Sequence, residues 1–285
     1  MPELPEVETI VRQLGPQITG RRIRHVELLR PDVLWGDERP ACVLLRGRRI
    51  LRVRRRGKRI VMSLTDQTQL IVHLGMTGRL LWAPKDQPYV AHTHLCLELA
   101  GRTRQLRFVD PRRFGRVWIA GAAGRWIGPV PSPLGPEPLE MTVPQFLRLG
   151  KRKRPVKAVL LDQRLIAGIG NIYCDEALFR AGIHPATRVD QLDRRTVVCL
   201  RRALRAVLQE AIEAKGSSIR DYRQFDGSTG RFQRQHQVYR RAGLPCRRCR
   251  GEIDRTVVAG RGTYYCTRCQ RPGARFHSRS PANAR

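Results

Sequence analysis

Lysine, acidic residues and long apolar runs are all scarce in this chain of 285 residues. Only six of its 55 basic residues are lysine, and 24 acidic residues leave a net charge of +31. No stretch reaches the roughly 20 apolar residues that a membrane span requires, which argues against a membrane protein. The first residues offer neither a basic start nor an apolar run, so we expect no signal peptide and a cytoplasmic protein.

The excess of positive charge favours a polyanionic partner over a membrane surface or an acidic metabolite. Nine basic residues and no acid lie within residues 46–59. Biased codon usage also produces an excess of arginine, and a merely solvated basic surface is the alternative. We predict that the chain binds nucleic acid.

Eight cysteines without a secretory signal indicate a reducing compartment, where clustered cysteines bind metal more often than they pair. Four of them are scattered among apolar neighbours and are interpreted as small core residues: Cys42, Cys96, Cys174 and Cys199.

The other four cysteines form two Cys-x-x-Cys pairs, Cys246 with Cys249 and Cys266 with Cys269, separated by sixteen residues. This spacing is typical of a tetrahedral zinc site in which each pair contributes two thiolates. Four sulfur ligands leave no open position for a substrate, so we predict one structural zinc ion that replaces the core of a short segment. Two disulfides or free thiols are the alternative.

Apolar residues between the two pairs alternate as in a β-hairpin, with a predicted turn at residues 260–262. Arg261 is then at the hairpin tip, where an arginine reaches a phosphate or a groove. An ordinary exposed turn residue is the alternative.

An amphipathic helix is predicted at the start, because Val7, Ile10, Val11 and Leu14 follow helical spacing. Proline at position 5 suits its first turn, and glycine at position 15 suits its end. From about residue 23 to 119 short β-type runs predict an antiparallel sandwich or barrel. The clearest runs are 50–53, 59–64, 70–73, 95–99 and 117–119.

The second half of the chain has helical patterns. They begin near Thr142, at residues 156–161 and after Asn171, a suitable N-cap, and a long apolar stripe predicts a helix that ends before Gly216. We predict an α+β protein with a β-sandwich over 2–120, a linker over 121–140, and a helical domain over 141–238 with a mobile loop at 216–237. A zinc finger over 239–270 and a basic disordered tail over 271–285 complete it.

Pro2 follows the initiator methionine, and a small second residue permits removal of Met1. A free secondary amine would result. An α-amino group titrates near about 8, far below a lysine side chain, so a useful fraction is neutral and attacks a carbonyl-like carbon. Many chains begin Met-Pro without using it, so this pair alone is a weak signal.

Five separated features occur in one order along the chain: "MPELPEVETI" at the start, "HLGMTGRL" at 73–80, "DPRRFG" at 110–115, "GIGNIYCDEALF" at 168–179 and the zinc cluster. Together they resemble the bacterial formamidopyrimidine-DNA glycosylase family, from residue 2 to about 270. Leu4 resembles the residue that this family carries at that position, whereas the sister enzyme endonuclease VIII usually carries glycine there.

The resemblance implies the catalytic residues. Pro2 matches the family's nucleophile, which forms a Schiff base at the anomeric carbon of the damaged nucleoside, and Glu3 matches the general acid/base. Lys58 matches a lysine that contacts the phosphate beside the lesion. Glu6 is similar to a position that supports the site. First-turn helix acids and a solvated strand lysine are the alternatives.

The resemblance also implies the DNA contacts. Met76, Arg112 and Phe114 match the three residues that fill the void left by a flipped base, although without the family Met76 and Phe114 would be interpreted as core. The polar stretch 217–239 resembles the loop that closes over the extruded lesion, with residues 218–222 as its contacts; an idle surface loop is the alternative. Further DNA contacts of the family match His92, Arg113, Lys157, Asn171 and Arg261. Backbone amides at a helix start, as expected at Asn171, suit a phosphate.

The implied activity is that of a bifunctional DNA glycosylase and lyase of base excision repair. It removes oxidised purines, such as 8-oxoguanine and formamidopyrimidines, from duplex DNA, followed by β- and δ-elimination. We expect a monomer without a membrane partner, acting at the bacterial nucleoid, with a helix-two-turn-helix domain beside the sandwich and the finger. The alternatives are an endonuclease VIII-like preference for oxidised pyrimidines and a non-catalytic zinc-finger protein that binds damage.

Overall fold

The computed structural model describes residues 1–35, 38–121, 126–127, 130–218 and 228–271. The chain forms two compact units, Met1–Pro133 with Ala211–Gln233, and Leu134–Glu210 with Arg234–Arg285. No helix in these ranges is both long and apolar enough to cross a membrane. Part of the predicted linker, loop residues 219–227 and the tail after residue 271 lie outside the described residues.

Two antiparallel sheets form the first unit, as the β-type runs predicted. The first sheet has the order β1-β6-β7-β5, with β1 (Ile23–Leu28), β5 (Arg79–Pro84), β6 (Thr93–Leu99) and β7 (Arg104–Val109). The second has the order β2-β3-β4-β8-β9, with β2 (Ile50–Arg56), β3 (Arg59–Leu64), β4 (Gln69–His73), β8 (Arg116–Ala120) and β9 (Trp126–Ile127).

One apolar core joins both sheets to helices α1 (Leu4–Ile18) and α2 (Glu38–Leu45). Alternate residues of a strand point into it, for example Ile60, Met62 and Leu64 of β3. Burial of this apolar surface is the main driving force for the fold. Because α1 packs on β2 and β3, it fixes the N-terminus against the second sheet.

Helix α1 corrects one prediction, because it continues beyond Gly15 and includes Pro16 before it ends at Ile18. Ile18 has no exposed surface and extends the apolar stripe of Leu14 into the core. The Thr19 N–H bonds the Gly15 carbonyl at 2.9 Å and closes the last turn. Core packing of Ile18 therefore outweighs the helix-breaking tendency of a Gly-Pro pair.

The second unit is largely helical, with α3 (Val143–Leu147), α4 (Val156–Leu161), α5 (Asn171–Arg180) and α6 (Arg194–Glu213), whose last residues belong to the first unit. The predicted start at Thr142 is confirmed: its hydroxyl accepts from the Gln145 N–H in a capping box. The N-cap assigned to Asn171 was wrong, since α5 begins there and Gly170 is the cap. The Asn171 amide instead bonds the zinc-finger backbone.

A two-stranded hairpin ends at the first cysteine of the second pair, with β10 (Ile253–Val258) and β11 (Arg261–Cys266). Its turn is Ala259 and Gly260, both at positive φ, and not residues 260–262 as predicted. Two left-handed residues are what a tight hairpin of this twist requires. Arg261 is the first residue of β11, next to the turn.

Candidate active site and zinc centre

The N-terminal end of α1 holds Pro2 and Glu3 in buried positions. Glu6 fixes this end: its Oε2 accepts from the Glu3 N–H at 2.8 Å, and its Oε1 accepts from the Ser217 N–H at 2.7 Å. Gly216 approaches so closely that a Cβ would lie 2.7 Å from Glu6 Oε1. One buried carboxylate thus ties the N-terminus to the segment that begins the predicted loop.

Replacing Glu6 by glutamine is expected to destabilise the fold by about 1–3 kcal/mol, because an amide NH₂ would face one of two buried backbone N–H donors. We also expect about tenfold slower reaction at Pro2, since its position would relax. Thermal denaturation and single-turnover kinetics measure these effects. Glu213→Gln, at an exposed helix position, is the control; parental stability and rate in Glu6→Gln would contradict the role.

Lys58 lies in the turn between β2 and β3 and is 8% exposed. Arg55 holds this turn from one side, since its Nη1 donates to the Gly57 carbonyl at 3.1 Å. The Arg55 Nε in turn donates to Glu8 of α1 at 3.0 Å. The helix that carries Pro2 therefore also braces the turn that carries Lys58.

His73 ends β4 among cations. Burial, with smaller effects from the charges of Lys58, Arg59 and Arg116, lowers its pKa to about 4. The imidazole is therefore neutral at physiological pH, and its Nδ1 accepts from the Gly75 N–H at 3.3 Å. In the second unit, burial likewise lowers the pKa of His236 to about 4.

We expect the free energy of unfolding to fall by more than about 1 kcal/mol per histidine on acidification from pH 6.5 toward pH 4. In the unfolded chain both imidazoles take up a proton in this window, while the folded chain keeps them neutral, so protons favour unfolding. Above pH 6.5 the full stability is present. Circular dichroism melts from pH 4.5 to 7.5 should show a smaller loss for His73→Gln/His236→Gln than for the parent; equal losses would refute this account.

Asp110, which has no exposed surface, organises the loop of residues 110–115. Its Oδ2 accepts from the Gly115 N–H at 2.7 Å, and its Oδ1 accepts from the Arg112 N–H and the Thr77 hydroxyl. At Gly75 a Cβ would lie 2.5 Å from the Gly115 nitrogen, so only glycine fits there. Two loops separated in sequence are thus locked together.

These loops bring together the three residues predicted to fill a void in DNA. Met76 and Phe114 are 45% and 49% exposed, so neither is a core residue. The Arg112 guanidinium lies 4.8 Å from the centre of the Phe114 ring, within the range of a cation–π contact. Apolar side chains held outward on a braced loop suit insertion between bases.

His92 and Arg113 line a cleft of about 550 Å³ beside the same loops, together with Arg30. Both His92 and Arg113 have positive φ, at +66° and +53°, and both are exposed. The Arg113 guanidinium bonds Asp32 at 2.9 Å. The cleft wall is cationic overall, which suits a phosphate.

The remaining predicted DNA contacts lie in the second unit and differ in exposure. Arg261 is exposed. Asn171 donates its amide to the Gly262 carbonyl at 2.8 Å, while its Oδ1 is buried without a hydrogen bond. Lys157 has no exposed surface and pairs with Asp175, so the structure places it in the interior and not on a DNA-facing surface.

The four cysteine sulfurs lie within 4.8 Å of one another. The Sγ atoms of Cys246 and Cys269 are 3.9 Å apart, and those of Cys249 and Cys266 are 3.4 Å apart. Tetrahedral zinc with Zn–S bonds of about 2.3 Å places sulfurs about 3.8 Å apart, whereas a disulfide requires about 2.05 Å. The chain therefore has one four-cysteine site for structural zinc, and the disulfide alternative is wrong.

Backbone N–H groups point at the sulfurs, as thiolate ligands require. The Arg248 N–H donates to Cys246 Sγ, and the Cys269 N–H donates to Cys266 Sγ, both at 3.4 Å. A small apolar cluster around the site, with Phe179, Val238 and Ile253, is too small to hold the finger alone. The donor set and its surroundings fit zinc.

Sequence reasoning missed the buried acids Asp110, Asp175 and Glu176. Only Asp110 had a signal, an Asp-Pro pair that starts a turn. Glu176 accepts from the backbone N–H groups of residues 237–239 at 2.9–3.0 Å, and burial raises its pKa. Adjacent acids on a helix usually lie in water, so pattern alone predicts an exposed face here.

A β-sandwich with a fixed N-terminus, a helical unit and a four-cysteine hairpin rich in arginine define a basic zinc-finger protein. Family models match the chain as formamidopyrimidine-DNA glycosylase N-terminal domain over residues 1–117, its H2TH domain over 134–223, and a zinc finger found in FPG and IleRS over 243–272.

Whole-chain comparisons agree. Proteins named formamidopyrimidine-DNA glycosylase are similar at 44% identity in Cereibacter sphaeroides (95% of this chain, 100% of the relative) and 47% in Thermus thermophilus (96% and 100%). The crystal structure of MutM (Fpg) from Thermus thermophilus matches with a TM-score of 0.84 at 46% identity, covering 96% of this chain and 100% of that one. Lactococcus lactis Fpg, solved with DNA containing an abasic site, matches at 0.85 and 36% identity, covering 94% and 99%. The chain belongs to the formamidopyrimidine-DNA glycosylase family.

Proposed function

We propose that this chain is a bifunctional DNA glycosylase and lyase of base excision repair that removes oxidised purines from duplex DNA. The observation that carries the proposal is the buried N-terminal end: Pro2 and Glu3 are buried, and Glu6 accepts from the Glu3 N–H next to Pro2 and from the Ser217 N–H. An enzyme whose nucleophile is its own terminus needs that terminus held in place.

In the proposed reaction Met1 is first removed, which frees the Pro2 nitrogen. That nitrogen attacks the anomeric carbon of the damaged nucleoside, the bond to the base breaks with its electron pair, and the departing base takes up the proton that the Pro2 nitrogen loses. Glu3 gives a proton to the sugar ring oxygen, so the ring opens to an iminium. The iminium acidifies the adjacent sugar carbon, and loss of its proton expels one flanking phosphate by β-elimination. A δ-elimination expels the other phosphate, and water then releases Pro2.

The proposed DNA contacts follow the charges and exposed side chains of each unit. Lys58 and the cationic wall with His92 and Arg113 bind phosphates. Met76, Arg112 and Phe114 replace the extruded base, whose removal from the stack costs a few kcal/mol. Asn171 and Arg261 add phosphate contacts from the second unit. With a net charge of +31, the chain would act at the nucleoid, as a monomer.

Zinc has no step in this reaction. When bound, it holds the four cysteines and thereby the hairpin that carries Arg261. A closed four-sulfur site leaves no position for a substrate oxygen or water.

Borohydride trapping tests the proposal. The unmodified protein is incubated with a duplex containing 8-oxoguanine opposite cytosine, and borohydride reduces the imine to a stable amine. A covalent protein–DNA complex is expected. Binding without any covalent complex would favour a protein that recognises damage and does not cut it. Faster trapping on a matched oxidised-pyrimidine duplex would favour the endonuclease VIII-like preference.

A further inference from the structure

Two buried charged residues of the second unit have no part in the proposed chemistry. Lys157 of α4 and Asp175 of α5 have no exposed side-chain surface, and the Lys157 Nζ lies 2.6 Å from Asp175 Oδ1. The pKa of Asp175 is raised to about 7, because burial outweighs the opposing effects of the Lys157 charge and the Tyr264 N–H. Removing two charges from water costs several kcal/mol each, so a buried ion pair is a poor device for stability alone.

Both residues also bond the start of β11. Asp175 Oδ2 accepts from the Tyr264 N–H at 3.0 Å, and the Lys157 Nζ donates to the Gly262 carbonyl at 3.3 Å. The Asn171 amide donates to that same carbonyl at 2.8 Å. The strand is therefore attached to α4 and α5 by directional bonds immediately after Arg261.

The base of the hairpin is held by the buried Ile253 and Cys266, but the residues around its turn, 259–261, are exposed. Two strands alone are marginally stable in water. Val257, which pairs with Gly262 from β10, is 67% exposed. Thr263, with no exposed surface, donates its hydroxyl to the Arg261 carbonyl at 2.8 Å, so the backbone on both sides of Gly262 is fixed. The position of Arg261 thus depends on the bonds from the two helices.

We propose that Lys157 and Asp175 are positioning residues that hold the exposed Arg261 guanidinium where it meets a DNA phosphate. The inference rests on the proposed DNA contact of Arg261. It gives the buried lysine an indirect role in binding, through the strand and not through its own charge. Directional bonds set the register of a strand in a way that apolar packing does not.

The test is a double variant, Lys157→Met/Asp175→Leu, which removes both charges together and keeps similar volume. Apolar replacement of a whole buried pair is usually tolerated, so we expect one zinc per chain and a melting temperature within a few degrees of the parent. Affinity for an undamaged duplex is measured across salt concentrations. Loss of one phosphate contact lowers the slope of log K against log salt by about 0.9. We expect that decrease, with about tenfold weaker binding.

Three further variants are measured in the same way. Arg261→Ala alone should lower the slope equally, and Arg261→Ala added to the double variant should lower it no further, because the contact is already lost. Lys85→Met/Glu98→Leu removes a partly exposed ion pair of the first unit, 3.0 Å apart, at the same change in charge. This control should keep the parental slope.

A double variant that folds, binds zinc and keeps the parental slope would overturn the proposal. A further full decrease in slope when Arg261→Ala is added to the double variant would also overturn it. If the double variant does not fold, Asp175→Asn and Lys157→Gln are measured in the same way, and a parental slope in both overturns it. An Arg261→Ala chain with the parental slope would overturn the contact itself. Failure of the glycosylase proposal appears separately, as absent trapping in the parent.

Discussion

Pro2→Gly is expected to lower borohydride trapping and base release about 10³-fold while duplex affinity stays within about threefold. A factor of 10³ corresponds to about 4 kcal/mol of transition-state stabilisation. The variant keeps a terminal amine but loses the secondary amine and the fixed φ of proline, so the nucleophile is less well placed at the buried end of α1. Single-turnover trapping on the 8-oxoguanine duplex measures the rate.

The matched control is Pro16→Ala, which removes an exposed proline from the same helix and should trap at the parental rate. A chain that keeps Met1, or whose terminus is acetylated, should not trap at all, because an amide nitrogen is not nucleophilic. Parental trapping by Pro2→Gly would mean that the secondary amine of proline is not required, either because the amine of the introduced glycine suffices or because another amine attacks the sugar. Mass spectrometry of active protein that still contains Met1 would exclude the mechanism.

Cys266→Ser is expected to abolish zinc binding and weaken duplex binding about 100-fold, or about 2.7 kcal/mol. Cys266 is fully buried within a small apolar cluster, and the finger depends on the metal for its fold. Without zinc the hairpin no longer presents Arg261. Zinc content and fluorescence anisotropy at fixed salt measure the two effects.

Cys199→Ser, at a partly exposed position of α6 outside the cluster, is the control and should keep both zinc and affinity. Chelation of zinc from the parent should reproduce the defect of Cys266→Ser. A zinc-free chain that binds the duplex as tightly as the parent would show that the finger does not contribute to affinity.

Elements with strong local signals were predicted well. The strand at Arg59–Leu64 and the helix at Val156–Leu161 have the bounds that their periodicity indicated. By contrast, β1, β5, β7 and α2 were not singled out from the sequence. The predicted end of α1 was wrong because Ile18 packs against the sheets, and this packing cannot be inferred from the local sequence.

The candidate site likewise contains residues that local spacing predicts and residues that it does not. The four cysteines follow from spacing, since a Cys-x-x-Cys loop is a local zinc ligand pair. The position of Lys157 does not follow from spacing. As a lysine in a run of cations it resembles a DNA contact, yet it is fully buried beside Asp175. Two charges eighteen residues apart, on different helices, give no pattern that pairs them.

The sequence by itself determined the class of fold, the zinc ligands, the polyanionic partner and the family, because each depends on residue type and local spacing. Only the tertiary structure decided which charged residues face solvent. It buried Glu6, Asp110 and Lys157 and gave each a hydrogen-bond or ion-pair partner from another segment of the chain. A buried charge is tolerated only with such a partner, and the partner exists only once the chain has folded.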